Sequence, residues 1–538
     1  MSLRGWQAQL GAFLLLGFMA AQTILAMKTK SPTCDEFSHH VASGYSYLVT
    51  RDFRMNPASP PLPRMLAGFP LLFLKAKAPL EDPSWQKGDS PAFARQFFEV
   101  VNNRQDEFIF WARFSIVLLS VLFGYAIFWW SRSLWGNWAG LVSLFLYSFS
   151  PDILAHSGLA TSDLAVAFFF FLTLVFFYRY LNQPTAGRLV GCAVNAGLAL
   201  LSKFSAVLVL PILLLTALAC GRHKEILGRR AVLFLTACFL TVWAGYFFET
   251  KPLLTNTPAP EKKMTEYLKI GGKPLVYFAE KVPVPLSTFS SALVSMAYTR
   301  AAGTNAYLMG HWSREGWWYY YMIAFGLKNT IPFLILCLAS LIFFRNLGVS
   351  RYLGAILLVP ILFFFIFTLR DKAQAGIRYF LPIYPLFFVL ASGVVVFLWK
   401  QGRILRVVVI FLLGWHATEA LMVFPDYLAY FNELAGGPSN GYRYLRDSNV
   451  DWGQDLKSLG VYVRKQGYPE VVLLTLAPSD PNYYGIPARS IEEDEFQEPR
   501  RTVYAISAHF MDEALWTRDR KPDKVIGRSF FVYDARGS

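Results

Sequence analysis

Residues 163–181 read DLAVAFFFFLTLVFFYRYL. No charged side chain stands between Asp163 and Arg179, and bulky apolar residues fall on every side of the run. A helix needs about 20 mostly apolar residues to cross the hydrocarbon core of a bilayer. A helix that is apolar all round has no face to turn to water. This stretch therefore decides the class of fold: it is a membrane span. Similar runs lie near 9–27, 108–130, 137–150, 189–203, 205–220, 231–248, 328–344, 352–369, 379–398 and 405–424, which makes eleven. Shorter apolar runs at 65–74 and 317–327 read as interfacial helices. Composition agrees. The 538 residues are 54% hydrophobic and only 16% charged, with a mean hydropathy of +0.36. A soluble protein of this length needs more polar surface. The chain reads as a polytopic α-helical membrane protein with about eleven transmembrane helices.

Short loops rich in Lys and Arg stay on the cytoplasmic side. Here the even-numbered connections carry them: Arg132; Arg188; Arg222 to Arg230; Arg345 and Arg351; Lys400, Arg403 and Arg406. With Arg4 ahead of the first helix, the N-terminus is placed inside. The opposite side receives three long segments: loops 28–107 and 249–327, and the tail 425–538. The membrane domain thus covers 1–424. A cleaved signal peptide is the alternative for the first run. No convincing small-x-small site precedes Lys28, and removal would leave ten helices, at odds with the charge pattern.

The net charge of +15 could point to nucleic acid, but its distribution excludes that. From Pro425 on, 14 Lys and Arg face 17 Asp and Glu, so the positive excess lies wholly in the membrane part. That is the pattern of topology signals and lipid-phosphate sites. In the tail, 455–466 reads as a helix, and 471–476, 502–506 and 529–533 read as strands, separated by Pro, Asn and Gly turns. It forms a small extramembrane α/β domain at 425–538. The five cysteines fit neither a disulfide framework nor a zinc motif.

The densest chemistry follows the first helix, in Cys34-Asp-Glu-Phe-Ser-His-His40. Carboxylates at a membrane exit are functional candidates. An isolated Asp-Glu pair would more simply be a solvated loop, yet the context here is unusual. The loop continues as Asn56-Pro-Ala-Ser-Pro-Pro-Leu-Pro-Arg64, a rigid lead into an interfacial helix. A second acidic site, His156-Ser-Gly-Leu-Ala-Thr-Ser-Asp163, opens the span quoted above. Its plain structural role would be an N-cap, with Ser162 or Asp163 accepting the first helix amides.

These features together resemble the GT-C glycosyltransferases. Within them the chain is most similar to the phospholipid-carrier-dependent branch that holds protein O-mannosyltransferases and aminoarabinose transferases. Four further stretches fit: Gly197-Leu-Ala-Leu-Leu-Ser-Lys203-Phe; His311-Trp-Ser-Arg-Glu-Gly-Trp-Trp-Tyr-Tyr320 with Lys328 behind it; Gly376-Ile-Arg378-Tyr-Phe-Leu-Pro-Ile-Tyr-Pro385; and Asp447-Ser-Asn-Val-Asp-Trp-Gly-Gln-Asp455. The resemblance runs from about residue 35 to about 460, and the last eighty residues add nothing to it. It implies a GT-C fold, an active site at the outer leaflet, and a sugar donor joined through phosphate to a polyprenol. It implies transfer of a hexose or pentose, with inversion, to a hydroxyl of a protein, lipid or glycan. The Asp-Glu pair departs from the aminoarabinose-transferase pattern and looks more like the mannosyltransferase type, which leaves sugar and acceptor open.

By match to the family's first-loop acid, Asp35 is the first candidate for the base that takes the acceptor proton, and Glu36 the second. Asp163 would position a substrate or share a metal. Arg378 heads the donor-phosphate candidates, since it sits where the chain re-enters the membrane, followed by Lys328 and Lys203. Snorkelling to the headgroups is the alternative for these cations. His156, His311 and Arg64 are candidates for substrate binding. A divalent ion could be held with help from His39, His40, His156 and His311, but their spacing matches no metal motif and no metal ligand is assigned. A transporter or flippase of a lipid-linked substrate is the competing reading. It would place charged or Gly/Pro-broken segments near mid-membrane and show an internal repeat, and neither is evident.

Overall fold

The computed structural model describes residues 4–254 and 273–537. The part of the expected outer segment 249–327 that covers 255–272 lies outside the described residues. Each of the eleven expected runs is helical. Six helices are long and apolar enough to cross a membrane: Gly5–Lys28, Gln105–Trp135, Asp163–Asn182, Arg351–Thr368, Ile377–Lys400 and Arg403–Val423. Two bent pairs raise the number to eight, if each pair is one span: Asn137–Ser148 with Pro151–Ser157, bent by 68°, and Tyr320–Lys328 with Ile331–Ile342, bent by 117°. Ala186–Ser202, Phe204–Ala219 and Arg229–Gly245 are shorter, at 17 residues or fewer. The outer faces are apolar, as lipid contact requires. Ile404, Val407, Ile410 and Phe411 on the last helix are all exposed.

The breaks between helices are where the chain places its polar groups. Lys203 has extended backbone between Ser202 and the 3₁₀ turn Phe204–Leu208, so the helix stops there and the lysine leaves its axis. The expected interfacial helix at 65–74 is Leu62–Phe73, and it packs against Ala42–Thr50 with almost no gap. A Cβ on Gly44 would lie 1.9 Å from the Arg64 carbonyl oxygen, so only glycine permits this approach. The run at 317–327 forms the helix Tyr320–Lys328, bent by 117° from the helix that follows. Tyr320–Lys328 leads directly into Ile331–Ile342 through the extended residue Thr330, whose hydroxyl caps the second helix, with Pro332 in its first turn.

In the tail, helix Leu456–Gln466 packs on a five-stranded sheet. The strand order is Ala488–Arg489, Val471–Leu474, Val503–Ser507, Phe530–Asp534, Lys524–Ile526. The first two pairings are parallel and the last two antiparallel. Residues 425–455 form a strap joining this domain to the membrane part. The Ser31 amide donates to Gln454 O and the Cys34 amide to Trp452 O, both at 2.9 Å. Lys30 Nζ donates to Asp426 and Asp455, each at 2.5 Å.

Candidate active site

Asp35 and Glu36 are neighbours in sequence but lie in different surroundings. Glu36 is buried and paired with Arg113 of the Gln105–Trp135 helix, at 2.8 Å and 2.7 Å. It also accepts the Thr33 amide at 2.9 Å, the Thr33 hydroxyl at 3.0 Å and the Ala160 amide at 2.7 Å. Burial pushes the Glu36 carboxyl up, but Arg113 and the two amides outweigh it and hold the group below its usual range. Five hydrogen bonds leave this carboxylate no capacity to take a proton from a substrate. Its geometry is that of a tie between the segment after the first helix, the Gln105–Trp135 helix and the entry to the 163–182 span. This corrects the expectation of Glu36 as an alternative base.

Asp35 stays open, with a side chain 31% exposed. Its Oδ2 accepts from Arg378 NH1 at 3.3 Å. The same NH1 stands 3.9 Å from Asp163 Oδ2. Burial pushes the Asp35 carboxyl up, and Arg378, then His40 and His39, more than reverse this, so it titrates below the ordinary aspartate range. Asp163 does not cap its helix through its side chain, and neither does Ser162. Its Oδ1 takes Lys203 Nζ at 2.6 Å instead. The remaining Asp163 oxygen, Oδ2, is buried without a hydrogen bond among the described residues. Lys203 lies 4.1 Å from the Tyr379 ring centroid, and Arg378 lies 4.3 Å from that of Trp452.

Arg378 is fixed by its Nε, which donates to Ala375 O at 2.9 Å. NH2 makes no hydrogen bond among the described residues, so one edge of the fork is free. Lys328 differs. It is buried, donates to Leu428 O and Asn449 O at 2.7 Å each, and stands 3.8 Å from Asp152, which accepts from Tyr384. An ammonium has three protons, and three protein acceptors surround this one, so Lys328 braces the strap and is not placed for phosphate.

The other expected residues divide similarly. His156 is buried within electrostatic reach of Asp163, Arg378 and Lys203, and its Nδ1 lacks a partner among the described residues. His311 opens an exposed strand and has no hydrogen bond to the cluster among the described residues. Arg64 is buried, and its NH1 donates to Asn56 O at 2.5 Å and Ser59 O at 2.9 Å, which pins the Pro-rich segment. His39 lines a cavity of about 530 Å³ with Met55, Asn56, Ser59 and Ser90. Burial and Arg64 push His40 down to about 3, so it is neutral at physiological pH. Among the described residues, no three His, Cys, Asp or Glu side chains are grouped to hold a metal ion.

Sequence reasoning did not single out Arg113, Tyr379, Trp452 or Asp447. Arg113 was legible as a lone charge in an apolar run. The other three stood inside quoted stretches without an individual role.

Residues 91–246 match the profile of the dolichyl-phosphate-mannose-protein mannosyltransferase family. No curated protein matches the chain by sequence. ArnT from Cupriavidus metallidurans, solved bound to undecaprenyl phosphate, aligns over 97% of this chain and 97% of its own, with 11% identity and a TM-score of 0.50. Its apo form aligns over the same shares at 12% identity and a TM-score of 0.47. The apo oligosaccharyltransferase of Archaeoglobus fulgidus aligns over 85% of this chain and 58% of its own, at 12% identity and a TM-score of 0.43.

Proposed function

We propose that this chain, which has the GT-C glycosyltransferase fold, transfers a sugar from a polyprenyl-phosphate donor to an acceptor hydroxyl at the outer face of the membrane. One observation carries the reading: Asp35, Arg378, Asp163 and Lys203 converge at the ends of four helices, with Asp35 and one Arg378 nitrogen open to a substrate. In this reading the acceptor hydroxyl attacks the anomeric carbon as Asp35 removes its proton. The bond from that carbon to the phosphate oxygen breaks, and the electron pair leaves with polyprenyl phosphate. Arg378 and Lys203 stabilise the charge that gathers there. Asp163, between the two cations, holds both in place. One displacement inverts the anomeric configuration, which NMR of the product checks.

The transferase reading stands over the transporter because the chain matches a transferase family over 91–246 and its open charges lie at span ends rather than at mid-span. The positive loops support a membrane orientation with the N-terminus inside and the 425–538 domain outside, and a bacterial inner membrane is part of this proposal. The test of function is incubation of the purified protein with a panel of polyprenyl-phosphate hexoses and pentoses and a cell-envelope extract that supplies acceptor hydroxyls, reading release of free polyprenyl phosphate. Release from one member, abolished by Asp35→Asn, is the expected result. No release from any member by well-folded protein would overturn the assignment.

A further inference from the structure

The turn at 447–449 is held against the Arg378 loop by several bonds. The Ser448 hydroxyl donates to Ala375 O at 2.9 Å, and the Ile377 amide donates to Asn449 Oδ1 at 3.0 Å. Gly376, at φ +95°, allows the contact, since a Cβ there would stand 2.6 Å from Ser448 Oγ. Asp447 itself has φ +56°. That left-handed conformation is costly for residues with a Cβ, though Asn and Asp tolerate it best. It is kept by the Val450 and Asp451 amides, which donate to Asp447 O at 2.9 Å and 3.0 Å.

The effect is to present a carboxylate to the site. Asp447 is within electrostatic reach of Arg378, Asp35 and His509, and burial pushes its carboxyl up despite Arg378. Its carboxylate accepts from the Ser448 amide and makes no ion pair among the described residues. An ionised carboxylate offers about four acceptor positions, so one amide leaves room for further donors. A sugar whose phosphate sits on Arg378 carries its ring hydroxyls within a few ångströms of that guanidinium. A carboxylate on a turn bonded to the Arg378 loop lies on the side of that ring and not of the polyprenyl tail.

We infer that Asp447 is a sugar-binding residue, whose carboxylate accepts a hydrogen bond from a ring hydroxyl of the donor and so selects which sugar is transferred. This rests on the transferase reading above. The test uses the polyprenyl-phosphate sugar turned over in the panel, together with its monodeoxy analogues. Asp447→Asn and Asp447→Gly are compared with wild type, because both residues accept φ +56° and leave the turn intact. Loss of a hydrogen bond to a charged group predicts a fall in kcat/KM of about tenfold to a hundredfold for the parent sugar. With the one analogue that lacks the bonded hydroxyl, the variants and wild type should converge. Unchanged turnover of the parent sugar would overturn the inference, as would an equal loss on every analogue or a fall in melting temperature in both variants. Failure of the whole panel with wild type would instead strike the function itself.

Discussion

Replacing Arg378 by Lys and by Gln separates the shape of this side chain from its charge. The guanidinium makes three commitments at once: Nε to Ala375 O at 2.9 Å, NH1 to Asp35 at 3.3 Å and to Asp163 at 3.9 Å, with NH2 left over. Lys keeps the charge but has one nitrogen, so it cannot span both carboxylates and still offer a planar edge to phosphate. Gln loses both charge and fork. By comparison with removal of one oxyanion donor, Arg378→Gln should lower kcat by about 10²–10³-fold, or about 2.7–4 kcal/mol, with Arg378→Lys between it and wild type. The assay is the initial rate of polyprenyl phosphate release over a pH series. Asp35 works deprotonated, and in wild type burial raises its carboxyl while Arg378, with His40 and His39, brings it below the usual range. Activity should therefore persist as pH falls and be lost only through that depressed value. In Arg378→Gln the burial term is left less opposed, so the acid limb of kcat/KM moves to higher pH, while Arg378→Lys stays near wild type. Equal turnover by all three proteins would make Arg378 a headgroup anchor, and equal acid limbs would mean that it does not govern Asp35.

Glu36→Gln should act on folding first. Removing one member of the buried Glu36–Arg113 pair costs about 3–5 kcal/mol, read as a lower melting temperature in detergent; a large loss of turnover at unchanged stability would return Glu36 to the chemistry. Lys30→Met leaves Asp426 and Asp455 facing each other without their shared cation, so the 425–538 domain should loosen and the strap become open to protease, with partial recovery on adding Asp455→Asn. Lys328→Met should likewise lower expression and melting temperature, and the surviving folded fraction should keep its KM for donor. A C-terminal phosphatase fusion, active only outside the cytoplasm, should be active, and silence from a well-expressed fusion would refute the orientation.

The spans and the tail's elements were legible because they rest on local properties. Phe168 to Phe171 are apolar whatever they touch, and Val503–Ser507 is a short, mostly apolar run that follows the turn signal at Pro499. The ends of those spans point to the stretches around Asp35 and Asp163, whereas Lys203 and Arg378 lie in stretches that the resemblance to the glycosyltransferase family brings forward. Which of those groups are free for chemistry was not a local property. Asp35 and Glu36 are the same kind of side chain one residue apart, and successive residues on a helical turn point in different directions. Glu36 meets Arg113, 77 positions along the chain, while Asp35 meets Arg378, 343 positions away. Lys328 and Arg378 both read as outer-leaflet cations, yet only packing put Leu428 O and Asn449 O around the first and left one edge of the second bare. A charge in a low-dielectric interior is committed by whichever partner the fold brings within about 4 Å. The sequence states which charges are present, and the tertiary structure decides which of them are already paired.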